Sequence, residues 1–470
     1  MTKPHSTLIF GVEDRPNVPT SIFTAFQHIL ASFIGVITPT LIVGGVLGLG
    51  DYVPYLVSMA LIVSGIGTFI QARKFGPVGS GLLCLQGTSF GFLSVILSGG
   101  MIVKARGGSP EEILATLYGC CFLGAFIEIA VSRFIHKLKR IVTPVVTGTI
   151  ITLMGLSLVK VAMTDMAGGF GASDLGSIEN IGLAALVLGI IVVLNRFNLQ
   201  FLRMSAIFIG LLVGFAVAAM MGKVNFAGLA DFPLLAVPVP FKFGFSFDLA
   251  VFIPIGLIFL ITALETTGDL TANSMLSKLP VSGPEYIKRI RAGVLADGIN
   301  SGIAATFNSL PMTTFSQNNG VIQLTGVASR YVAYYMAAIL VLLGLFPAVG
   351  AMLQLLPKPV LGGATVVMFG TVAAAGVKIL AESKLGRRDM LIFAVSIGLG
   401  MGVAGVPAAF SGFPEIIRNI FGSPVTIGAF SAIILSLVLP PEEPSIEEVA
   451  EAESPTTSAP ATQQAALSSS

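Results

Sequence analysis

The sequence predicts an all-α polytopic membrane protein, on three observations. Of its 470 residues, 54% are apolar and only 11% are Asp, Glu, Lys or Arg, against about a quarter charged in an ordinary soluble domain. Tracts long enough to cross the hydrocarbon core, which takes about 20 apolar residues, recur along the chain. Gly (54) and Pro (26) are frequent and Trp is absent, a profile that membrane helices tolerate because neighbouring helices re-satisfy the backbone. A formal net charge of +2 argues against nucleic acid as a partner. Cys84, Cys120 and Cys121 fall inside apolar tracts and read as packing residues, with neither a disulfide framework nor metal-ligand spacing. No cofactor or metal is expected.

Residues 1–18 carry Glu13, Asp14 and Arg15 and lack the basic start, short apolar core and cleavage site of a signal peptide, so the first span is expected to be retained. Apolar tracts then follow at 21–49, 52–71, 79–98, 113–134, 141–163, 181–195, 204–221, 249–270, 287–308, 312–327, 331–355, 360–380, 390–406 and 424–439, fourteen transmembrane segments in all. The third and tenth are poor spans, interrupted by Gly, Ser, Thr, Asn and Gln. Residues 441–470 hold six acids, no base and a Ser/Thr/Ala/Gln ending. Such a composition cannot bury apolar area and reads as a disordered tail.

Lys and Arg gather in cytoplasmic loops. With the N-terminus inside, nineteen of the 26 bases fall on the cytoplasmic side of this count, so both termini are expected there. The interrupted third and tenth tracts lie seven segments apart. An odd offset makes the second enter the membrane from the opposite side, and paired broken segments point to inverted repeats with a site near the midplane. Two inverted seven-span repeats follow.

Ionisable groups at membrane depth are costly and mark function; here they are His28, Glu128, Glu265, Asp269 and Asp297. Lys160 sits near the outer end of its span, where its stem can reach the interface. His28 fits either a hydrogen-bonded packing residue or a site residue, and Glu128, close to the basic run after its span, reads as structural. Asp297, one turn before Asn300 and Ser301, fits either a helix brace or a proton carrier. Glu265 and Asp269 are spaced i, i+4 and share one helix face. Two carboxylates so close in low dielectric cannot both ionise cheaply, so one is free to hold a proton. The tenth tract contains Thr313-Thr-Phe-Ser-Gln-Asn-Asn-Gly-Val-Ile-Gln-Leu-Thr-Gly326, and the third the matching run Gly81-Leu-Leu-Cys-Leu-Gln-Gly-Thr-Ser-Phe-Gly-Phe92. Carboxylate, carboxamide, hydroxyl and a Phe face together suit a small, flat, uncharged polar ring, the amide pairing with an N–H/C=O edge and the ring stacking. Phosphates are not suited, since no Arg or Lys lies in these runs. An enzyme is not indicated: no Ser/His dyad, Cys/His pair or metal-ligand spacing falls within the spans.

The run Gln317-Asn318-Asn319-Gly320-Val321-Ile322-Gln323-Leu324-Thr325-Gly326 fits the signature (Gln/Glu/Pro)-Asn-x-Gly-x-x-x-x-Thr-(Arg/Lys/Gly) of the nucleobase-ascorbate transporter family. Together with Glu13-Asp14-Arg15-Pro16, Gly76-Pro77-Val78-Gly79-Ser80-Gly81-Leu82 and Leu361-Gly362-Gly363-Ala364, it resembles the bacterial xanthine and uric acid permease branch over all but the C-terminal tail. The resemblance implies a core domain at 19–135 (spans 1–4) and 245–356 (spans 8–11), a gate domain at 136–225 (spans 5–7) and 357–440 (spans 12–14), and homodimers through the gate. It also implies proton-coupled uptake of a purine nucleobase across the bacterial inner membrane. In family terms Glu265 and Gln317 correspond to the main purine ligands, and Phe90, Ser89 and Ser316 to residues lining the site. Asn318 corresponds to their support, and His28, Asp269 and Asp297 to residues that tune affinity or proton coupling. Gln317, where uracil transporters carry Glu, favours an oxidised purine: xanthine first, uric acid second. Ser89 departs from the Asn of some xanthine-selective members and leaves that pair open. The alternatives are a uracil or other nucleobase permease, and an anion transporter of the same architecture.

Overall fold

The structure, a computed structural model, describes residues 8–138, 143–224, 235–383 and 385–440. The start at 1–7 and the tail expected at 441–470 lie outside these. Among the described residues seventeen α-helices follow in order: α1 (Val18–Leu47), α2 (Val53–Arg73), α3 (Leu93–Ala105), α4 (Pro110–Leu138), α5 (Pro144–Met166), α6 (Ile178–Arg196), the short α7 (Gln200–Met204), α8 (Ala206–Met220), α9 (Leu249–Leu276), α10 (Gly283–Thr306), α11 (Gln317–Thr325), α12 (Val332–Leu345), α13 (Pro347–Gln354), α14 (Lys358–Glu382), α15 (Arg387–Gly405), the short α16 (Glu415–Phe421) and α17 (Pro424–Val438). Two three-residue strands, β1 (Gln86–Thr88) and β2 (Met312–Thr314), precede α3 and α11. Among the described residues, eight helices are long and apolar enough to cross a membrane, which makes the chain a helical polytopic membrane protein.

Local chemistry sets the helix ends. Asn17 caps α1 by accepting from the Thr20 N–H at 2.9 Å, and Asp248 caps α9 by accepting from Ala250 and Val251 at 2.8 and 3.1 Å. Asp248 also pairs with Arg106 at 2.5 Å, outside the membrane-spanning segments. The single span expected at 331–355 is instead two helices, α12 and α13, bent by 74°. Pro347 is the cause: it lacks a backbone donor and pushes Phe346 to an extended φ of −102° and ψ of 99°.

The helices pack in two groups. In one, α1 to α4 pack with α9 to α13; in the other, α5, α6, α8, α14, α15 and α17 pack together. The groups touch where α16 and α17 meet α9, α17 and α5 meet α3, and α8 meets α1. The most extensive packing among the described helices, α5 on α14, depends on glycine. A Cβ at Gly155 would lie 2.4 Å from the Ala373 nitrogen, and one at Gly376 2.4 Å from the Thr152 nitrogen, so only small residues permit that approach. Cys84, Cys120 and Cys121 are buried and unbridged, in line with packing roles.

Between the two halves of the first group, β1 and β2 pair antiparallel with Gln86 opposite Thr314, Gly87 opposite Thr313 and Thr88 opposite Met312. The interruptions read at Ser89 and Gln317 are therefore one structure. Each segment runs extended to the crossing and then starts a half-helix, α3 of 13 residues and α11 of 9.

Candidate functional site

Extended backbone at membrane depth must find partners within the protein, and here side chains from neighbouring helices supply them. Gln71 of α2 accepts from the Ser80 N–H at 2.8 Å, and Thr68 accepts from the Gln86 N–H at 3.0 Å. The Leu83 carbonyl accepts from two carboxamides, Asn318 at 2.6 Å and Asn273 at 2.8 Å. Thr88 donates to the Val36 carbonyl of α1. Ser301 both donates to the Met312 carbonyl at 3.2 Å and accepts from its N–H at 3.0 Å. The crossing is further fixed by Phe315, whose ring lies between Gly35 and Gly87. A Cβ at Gly87 would meet that ring at 2.6 Å, and one at Gly35 at 2.7 Å.

Asp297 of α10 is the hub. It is fully buried, and it accepts at Oδ1 from Gln86 Nε2 (2.7 Å) and Gln71 Nε2 (3.1 Å) and at Oδ2 from the Thr266 hydroxyl. Asn300, one turn along α10, donates to the Gly67 carbonyl at 3.3 Å and to Gln86 Oε1 at 3.4 Å. Thr266 in turn meets Thr313 at 3.3 Å and Thr314 at 3.5 Å, and the Thr314 hydroxyl donates to Asp269 Oδ2 at 3.0 Å. A hydroxyl-bridged line thus joins Asp269 to Asp297 across α9, β2 and α10.

The face of α9 that carries this line also ties the half-helices together. Thr262 lies 3.4 Å from the position of a Cβ on Gly91, at the start of α3. Asp269, two turns on, offers its carbonyl to Asn319 of α11 at 3.2 Å. Glu265 stands one turn from each, and its carboxylate, half-buried, has no side-chain partner among the described residues. Both half-helices begin at the crossing, so the positive ends of their dipoles turn toward it.

The other expected residues fall around this point. Ser316 and Gln317 are exposed at the N-terminal end of α11. Ser89 is buried and accepts from the Gly91 N–H at 3.2 Å. Phe90 meets Phe369 of α14 edge-on, with ring centroids 5.9 Å apart. Asn318 is fully buried, and its Oδ1 has no hydrogen bond of good geometry among the described residues. His28, fully buried on α1, lies against it, and neither ring nitrogen makes a hydrogen bond of good geometry among the described residues. Glu265, Asp269, Asp297, Asn318 and His28 are thus gathered around one crossing. Gln71, Thr266, Asn273 and Phe369 belong to the same neighbourhood without having been singled out in the sequence. Gln71 had a readable signal, a carboxamide closing an apolar tract; Phe369, one apolar residue among many, had none.

A family profile described as "Permease family" matches residues 19–409. Among curated relatives, the xanthine permease XanP of Escherichia coli is 44% identical over 444 residues, covering 93% of this chain and 96% of that protein. The xanthine permease XanQ of the same organism is 44% identical over 439 residues, covering 93% and 94%. Among solved structures, the transmembrane domain of the cyanobacterial bicarbonate transporter BicA superposes with a TM-score of 0.56 at 13% identity, covering 91% of this chain and 100% of that one. At that identity the likeness is one of fold alone.

Proposed function

The chain belongs to the nucleobase-ascorbate transporter family of permeases, and we propose that it is a proton-coupled symporter importing an oxidised purine, xanthine first and uric acid second, across the bacterial inner membrane. Glu265 accepts a purine N–H, and the Gln317 carboxamide pairs with an N–H/C=O edge. The Phe90 ring stacks on the base, Ser89 and Ser316 line the site, and Asn318 with His28 holds the start of α11. Asp269 and Asp297, joined through Thr314 and Thr266, tune affinity and proton coupling.

One observation carries this reading: the half-buried Glu265 carboxylate, one turn along α9 from the residues that touch each half-helix, has no hydrogen-bond or ion-pair partner among the described residues. Burying polar groups without partners is expensive, so the partner is expected to be the cargo. The names of the 44% identical relatives support a xanthine cargo. An anion carrier would need a fixed positive charge, and α9, β1, β2 and α11 contain no Lys or Arg.

The two packing groups support a core domain of spans 1–4 and 8–11 and a gate of spans 5–7 and 12–14, within fourteen spans arranged as two inverted repeats. The antiparallel pairing of β1 with β2, each leading into a half-helix, supports the inversion. Rocking of the gate against the core would open the site to either side in turn, with Phe369 closing on Phe90 from the gate. Cytoplasmic termini are supported by the asymmetry of the bases, and dimerisation through the gate follows the family.

The reading is tested by uptake of radiolabelled xanthine into cells that lack their own purine permeases, with unlabelled competitors. Competition by xanthine and urate but not by uracil is expected. Uptake blocked by uracil, or by bicarbonate or sulfate alone, would overturn it.

A further inference from the structure

Glu128 of α4 is fully buried, and neither carboxyl oxygen has a hydrogen-bond partner among the described residues. Its flanking residues define where it points. Gly124, one turn before it, lies against Phe259 and Ile255 of α9, while Ala125 and Ile129 lie against Gly298 of α10. Glu128 falls between these two contacts and so faces the seam where α4 meets α9 and α10. Asp297, the neighbour of Gly298 on α10, and Glu265 of α9 are carboxyl groups near enough to act on it there. The third neighbour of α4, α3, carries only Lys104, whose ammonium donates to the Leu47 carbonyl at 2.8 Å near the other end. Arg133, further along α4, has its carbonyl bound by Arg291 at 2.8 Å.

An acid with no donor, no cation and no water-accessible surface is a poor structural choice, because Leu or Met would fill the same space without a polar atom. Its place beside two other carboxyl groups gives it a use. We propose that Glu128 is a proton-holding residue of the transport cycle, carrying one proton in the resting protein and exchanging it with the Asp297 and Glu265 carboxyls as substrate enters and leaves. In that exchange the O–H bond on Glu128 breaks as an O–H bond forms across the seam. No oxidation state changes, and the aqueous phases on the two sides supply and accept the proton. The inference rests on the proton-symport reading above.

The test uses the full-length protein in proteoliposomes, with two readouts: radiolabelled xanthine accumulation under an imposed pH gradient, and xanthine-for-xanthine exchange, which needs no net proton movement. For Glu128→Gln, exchange is expected to stay within about twofold of wild type while accumulation falls at least about tenfold. Glu128→Asp is expected to restore part of the accumulation with a displaced pH profile. Wild-type accumulation by Glu128→Gln overturns the proposal. If that variant is not produced, a Glu128→Asp pH profile that coincides with wild type overturns it equally. Wild-type protein that accumulates xanthine without a proton gradient refutes the symport reading instead, so the two failures are told apart.

Discussion

Asp297 and Gln86 are joined by a 2.7 Å hydrogen bond between α10 and the extended stretch before α3. The two residues are far apart in sequence, and the bond ties the broken segment of one half of the chain to an intact helix of the other. The Asp297→Ala variant leaves the donors of Gln71, Gln86 and Thr266 unpaired, at about 1–3 kcal/mol for each buried group, and is expected to be poorly produced. In Asp297→Asn the amide oxygen can keep both glutamine donors while its NH2 faces the Thr266 hydroxyl. Normal production with loss of concentrative uptake is expected, measured by membrane abundance and by accumulation in the same cells. Full accumulation would reduce Asp297 to a brace.

The Glu265 carboxylate makes no hydrogen bond or ion pair among the described residues, so Glu265→Gln should leave production and thermal midpoint unchanged. Losing one charge-assisted hydrogen bond of about 1.5–3 kcal/mol corresponds to a fall in uptake of about 10- to 150-fold. Wild-type uptake by a well-produced variant would remove Glu265 from the site.

Gln317 sits exposed in the first turn of α11, where an added negative charge suits the helix dipole. The Gln317→Glu variant should therefore fold normally and change selectivity instead. Replacing the amide donor by an acceptor sets two oxygens against each other at a purine carbonyl, and specificity is often built from such repulsion. Competition profiles for xanthine, urate and uracil should shift toward uracil; unchanged profiles would contradict direct contact.

At Gly87 the crossing admits no side chain, since the Phe315 ring lies 2.6 Å from where a Cβ would stand. The Gly87→Ala variant is expected to lose about 1–3 kcal/mol through overpacking, seen as a lower thermal midpoint in detergent. Adding Phe315→Leu should return part of that loss. Additive losses in the double variant would show that the two positions do not press on each other.

Much of this was legible in the chain because apolar tracts broken by polar runs leave a mark that no tertiary contact is needed to read. The interruptions near Ser89 and Gln317 marked the two broken segments, the tract at 204–221 became α8 to within two residues, and the i, i+4 acids fall on one helix, α9. What was hidden depends on contacts distant in sequence. The Thr314 hydroxyl on Asp269 and the paired carboxamides on Leu83 follow only once β1 and β2 cross. The bend at Phe346 and Pro347 was masked by the continuous hydrophobicity of 331–355. Glu128 read as structural because its distance from Glu265 and Asp297 is set by how α4 packs, which spacing along one helix does not contain.

Proton-driven passage of a purine through this crossing can be measured with purified protein in proteoliposomes loaded at neutral pH and diluted into more acidic, sodium-free buffer with radiolabelled xanthine. Accumulation above the external concentration is expected, abolished by a protonophore and by Glu265→Gln alike. Accumulation that requires sodium and survives collapse of the pH gradient would contradict the account.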